Sequence, residues 1–129
     1  MRLILPMLLV ACAGDSDKGD TGQTASTPAT FVQAREVLVQ SCGFGSCHGA
    51  AAAGLQIDSE MTADALVGVE STALNGEILV IAGDSGASYL IAKMEAAAGI
   101  DGDVMPPSGA LSQARIDIVR SWIDAGATD

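Results

Sequence analysis

Two of the three cysteines and the sole histidine of this 129-residue chain fall in one short run, Cys42-Gly43-Phe44-Gly45-Ser46-Cys47-His48. No other feature limits the fold as much. Two thiols and an imidazole this close together have three fates open to them: a disulfide, a metal site, or covalent attachment of a haem. The rest of the chain suits one small domain, with about half of its residues apolar and a modest core within reach. Only four residues are aromatic, Phe31, Phe44, Tyr89 and Trp122, so a bound apolar cofactor would supply bulk that side chains do not.

The N-terminus sets the compartment. Arg2 precedes an apolar run from Leu3 to Ala11, the pattern of an export signal, and nine residues fall well short of the roughly 18 to 20 that span a bilayer. Leu9-Val10-Ala11-Cys12 is similar to the bacterial lipobox, which implies a signal peptide over residues 1–11 and acylation of Cys12. Ala13 in place of an aspartate favours the outer membrane. Residues 12–30, Gly-, Ser-, Thr- and Asp-rich with no hydrophobic period, read as a disordered tether. With Arg2 removed, sixteen acidic side chains face five basic ones, a balance that repels phosphate backbones and speaks against nucleic acid as a partner.

Residues 31–129 carry helical patterning. Thr30 and Gln33 fit a capping box, and Phe31, Ala34, Leu38 and Cys42 recur at helical spacing, which predicts a helix from Thr30 to Ser41 that delivers Cys42. A short helix over Thr62 to Val67, an extended run over Glu77 to Ile81, and a helix from Ser85 to Ala98 with Ala87, Leu90, Ile91 and Met94 on one side follow. The last helix starts near Ser112 as N-cap, turns Ile116, Val119, Trp122 and Ile123 inward and stops at Gly126.

Of the three fates, structural zinc needs four Cys or His ligands, and acylation of Cys12 leaves only Cys42, Cys47 and His48. A Cys42-Cys47 disulfide leaves the adjacent histidine without a role. Haem uses all three residues: two thioether bonds to the porphyrin and an imidazole on the iron. Four residues rather than two separate the cysteines. On a regular helix, residues five apart point about 140° away from each other, so the intervening turn must bulge, which Gly43 and Gly45 permit. The chain has no second histidine, so methionine is the available choice for a sixth ligand, with an open or water-bound site as the alternative after it. Met105 precedes Pro106 and Pro107, which hold it in a stiff, non-helical loop. Met94 is the next candidate; it and Met61 lie in or beside helical segments, where methionine more often packs.

These pieces together resemble a class I cytochrome c domain: a helix ending in Cys42, the Cys47-His48-Gly49 triplet, the Gly102-Asp103-Val104-Met105-Pro106-Pro107 loop, and a final helix reading Ile118-Val119-Arg120-Ser121-Trp122-Ile123. More narrowly the chain resembles planctomycete and myxobacterial cytochrome c-like lipoproteins, in which widened cysteine spacing occurs. The resemblance implies an all-α fold around one covalent haem c, with the first and last helices crossing near Phe31 and Trp122, and Tyr89 near the haem.

The reading is a mono-haem electron carrier of the bacterial cell envelope, anchored to the membrane through lipid on Cys12, monomeric, and serving redox partner proteins. Cys42 and Cys47 are the thioether anchors, and His48 and Met105 the axial ligands. It is not an enzyme; peroxidase-like activity or gas sensing would need the sixth iron site to be open. The alternative is a haem-free envelope lipoprotein with a Cys42-Cys47 disulfide and a structural or interaction role.

Overall fold

The structure, a computed structural model, describes residues 26–129. The expected signal peptide, Cys12 and the expected tether up to residue 25 lie outside the described residues. All regular structure among the described residues is helical: α1 (Phe31–Cys42), α2 (Tyr89–Glu95) and α3 (Gln113–Asp124), with single 3₁₀ turns at His48–Ala50, Ala52–Gly54 and Ala63–Ala65. No strand forms among them, and none of their helices is long and apolar enough to cross a membrane.

The ends of α1 follow from local chemistry. Thr30 accepts from the Gln33 backbone N–H while the Gln33 side chain accepts from Thr30 N, closing the capping box. The face with Phe31, Ala34, Leu38 and Cys42 is buried together with Val37. α3 buries Ile116, Val119, Trp122 and Ile123. Ser112 stands at its N-cap, but the hydroxyl makes no capping bond.

α1 packs on α3 through these faces. Phe31 and Trp122 meet with ring centroids 5.1 Å apart at 42°, a tilted pair that adds to the area it buries. The Trp122 indole N–H donates to Thr128 O at 2.8 Å, so this ring enters the core with its polar atom satisfied. At the chain's entry Ala29 N donates to Ser121 Oγ at 3.0 Å, which ties the residues just before α1 to α3.

α2 is shorter than the periodicity predicts. Its expected first turn, Ser85 to Ser88, is taken by side-chain bonds that compete with a helix. Ser88 Oγ donates to Asp84 O and accepts from Ile81 N, and Ala87 N donates to Asp84 Oδ1. Ala87, expected on the inner face, is exposed, whereas Leu90, Ile91 and Met94 are buried. The helix therefore starts at Tyr89, and its first two N–H groups donate to Ile78 O and Leu79 O, both at 2.9 Å. The extended run thus caps α2. That run makes isolated bridges, Val67 with Val80 and Glu70 with Ile78. The short helix predicted over residues 62–67 is reduced to the single turn Ala63–Ala65. Arg120 of α3 reaches α2 through both Glu95 carboxylate oxygens, at 2.6 and 3.2 Å; both side chains are partly exposed, so the pair adds at most about 1 kcal/mol.

Candidate functional site

α1 ends at Cys42 because the chain beyond it abandons helical geometry. Gly43 closes the last turn with its N–H on Val39 O at 3.0 Å. Phe44 O then accepts from both Cys47 N (2.8 Å) and Gly49 N (3.0 Å), folding the six residues from Phe44 to Gly49 into a tight loop. The glycines serve this loop by size. A Cβ on Gly43 would lie 2.7 Å from Val39 O and 2.9 Å from Ile57 O, and one on Gly49 would lie 2.8 Å from Phe44 O. Neither Gly43 nor Gly45 uses a positive φ, and nothing lies within 4 Å of a Cβ at Gly45, so close backbone approach at Gly43 and Gly49 is what requires glycine.

His48 opens the 3₁₀ turn after this loop. Its Nδ1 lies 3.1 Å from Leu55 O. A carbonyl only accepts, so Nδ1 carries the proton and donates, and the matching Nδ1–H tautomer holds its lone pair on Nε2. A second bond, Ile57 N to His48 O at 2.9 Å, holds the backbone of the same turn. The ring is therefore oriented by the returning segment 55–57, as histidines that bind metals are oriented by their other nitrogen.

A cavity of about 340 Å³ lies against these groups, at the lower end of the range for small-molecule and cofactor sites. Cys42, His48, Met94 and Met105 all line it, together with the apolar side chains of Leu55, Ile57, Leu79 and Leu90 and with Tyr89 and Lys93 of α2. The structure thus brings together Cys42, His48 and Met105. Met94, fully buried in α2, reaches the same cavity, whereas Met61 packs in the core away from it. Cys47 is half-buried and off the cavity wall, with its Sγ 3.8 Å from Ser46 Oγ. Both thiols are free. Burial, and then the charge of a Cys47 thiolate, push the Cys42 thiol up from 9.0 to about 11, so it is protonated at neutral pH.

Met105 sits half-buried in the loop after α2. Its backbone N–H donates to Lys93 O at 2.9 Å, and the peptide bond to Pro106 is cis. Tyr89 reaches the same loop, its Oη accepting from Asp101 N at 3.0 Å. Sequence reasoning missed three contributors to this site. The carbonyl of Leu55 and the close approach at Gly49 leave no mark in side-chain chemistry. Lys93 is the one lysine among the described residues and borders Met94, but nothing in the sequence shows that it turns toward a loop eight or more residues away.

Among the described residues, no group of three or more His, Cys, Asp and Glu side chains is arranged to hold a metal ion. The donors gathered here are one imidazole, one buried thiol and thioethers around an apolar space. No protein-family model matches the chain, and comparison with curated proteins and with solved structures finds no match to it.

Proposed function

We propose that the chain is a mono-haem c-type cytochrome, an electron-transfer lipoprotein of the bacterial cell envelope. The observation that carries this reading is the convergence of Cys42, His48 and Met105 on one largely apolar cavity. The donor set fits the group: a nitrogen lone pair on a ring whose other nitrogen is engaged, a thioether from a separate loop, and a thiol at the end of a helix. Cys42 and Cys47 would anchor haem c as thioethers, and His48 and Met105 would ligate the iron. When bound, haem supplies one-electron exchange between ferric and ferrous iron.

The protein's own contribution is orientation and exclusion of water. Leu55 O fixes the His48 ring, Lys93 O holds the Met105 backbone, and Leu55, Ile57, Leu79 and Leu90 keep the surroundings apolar. A neutral thioether in a low-dielectric pocket favours the ferrous state relative to two histidines. Lipid on Cys12 would keep the domain near redox partners in the envelope, with the outer membrane favoured, and raise its effective concentration there. The protein acts as a carrier and not as an enzyme; peroxidase or gas-sensing behaviour would require a labile Met105 bond.

The test is Met105→Ala in the haem-loaded chain. The wild type is expected to show the weak thioether-to-iron band near the red end of the oxidised spectrum and to bind carbon monoxide poorly; the variant loses the band and binds carbon monoxide readily. An unchanged band in Met105→Ala would remove Met105 from the iron and pass the role to Met94.

A further inference from the structure

Lys93 does more at this site than line it. Its Nζ donates to two main-chain carbonyls of the following loop, Asp101 O at 2.6 Å and Asp103 O at 2.5 Å, and its own carbonyl accepts from Met105 N at 2.9 Å. Three bonds from one residue therefore grip the segment 101–105, one on every second residue. A fourth bond, Asp101 N to Tyr89 Oη at 3.0 Å, fastens the start of the segment to the same helix. The two Nζ bonds are charge-assisted bonds to neutral acceptors, and they spend the ammonium on the loop backbone although the neighbouring Asp101 and Asp103 carboxylates are exposed. The loop has few other anchors, because residues 101–103 and 107–110 are exposed and only 104–106 are partly covered.

We propose that Lys93 is the positioning residue that clamps the segment 101–105 to α2 and so holds the Met105 thioether at the cavity. The inference rests on Met105 being an iron ligand, but the clamp itself is testable without iron. Removing the ammonium leaves the Met105 N–H bond to Lys93 O in place and frees the two carbonyls ahead of it. The loop then opens more often, and each opening takes Met105 away.

The experiment compares wild type, Lys93→Met and Lys93→Arg in the full chain, with far-ultraviolet circular dichroism as the check on folding. In the chain without haem, exchange of the two hydrogen-bonded amides of the segment, Asp101 and Met105, is expected to quicken by about tenfold in Lys93→Met while α1 and α3 keep their protection. In the haem-loaded chain the same variant is expected to bind added imidazole about tenfold more tightly, as the population with Met105 dissociated grows, and Lys93→Arg to restore most of both values. Unchanged exchange and unchanged imidazole affinity in a folded Lys93→Met would overturn the clamp. If Lys93→Met fails to fold, Lys93→Gln removes the charge while keeping a polar chain; quickened exchange at Met105 then supports the clamp, and unchanged exchange there counts against it. Failure of the haem reading has a different signature: Met105→Ala would leave the loaded spectrum untouched, or no haem would be taken up, whatever Lys93 does to exchange.

Discussion

Cys42 and His48 lie six positions apart in sequence and reach one cavity by different physical means. Cys42 is carried there on the buried face of α1 and is almost wholly buried. His48 is carried by a turn whose backbone leaves no room for a Cβ at Gly49 and whose ring is fixed by Leu55 O. Burial of Cys42 has a consequence for stability. The folded thiol holds its proton up to about pH 11, against 9.0 for the ordinary group, so the folded state binds that proton more tightly than the unfolded chain does. The resulting stabilisation is complete below pH 9.0 and is lost as the pH rises to about 11, a loss of about 2 kcal/mol. Denaturant unfolding of the haem-free chain across that interval is expected to show this loss, and Cys42→Ala to lack it; equal losses in both would contradict the assignment. The cysteine-histidine cluster and Met105 were legible as candidates because their chemistry is rare in this chain. The Leu55 carbonyl and the reach of Lys93 were not, because one is a backbone atom and the other depends on how a loop folds back.

The long helices were legible and the short elements were not. α1 and α3 have twelve residues each, enough for the apolar period to show both faces, and each ends at a residue suited to stop it. In α2 the period extends over Ser85 to Ala98, but the side chains of Asp84 and Ser88 take the backbone for a turn, and hydrogen bonding overrides propensity. The end of α2 carries a visible cost. Ala96 closes it at φ 56° and ψ 41°, a left-handed conformation that glycine adopts without the clash of a Cβ. Ala96 is exposed, so Ala96→Gly removes no packing and is expected to stabilise the chain by roughly 0.5 to 1 kcal/mol after the greater chain entropy of glycine is counted. Urea unfolding measures this, and a loss of stability would show that the turn is not strained.

At the scale of the molecule, α1 packs on α3 with Phe31 against Trp122, and Cys42 at the end of α1 meets the cavity. The segments between them supply the walls of the cavity: the turn at His48, the residues near Leu79, α2, and the Met105 loop. The core between α1 and α3 is filled by Leu38, Val119, Trp122 and Ile123, all nearly inaccessible, while the space beside Cys42 and His48 remains open. In this account that space is where a covalent haem sits, and its loading is the central claim. The most direct measurement is the mass of the denatured protein, recorded beside its pyridine haemochrome spectrum, after export into a periplasm equipped for cytochrome c maturation and shown to load other motifs with four residues between the cysteines. The account predicts a chain heavier by one haem that survives denaturation, with the haemochrome of two thioether bonds. A chain without porphyrin and lighter by two hydrogen atoms would contradict it and identify a Cys42-Cys47 disulfide in a haem-free envelope protein.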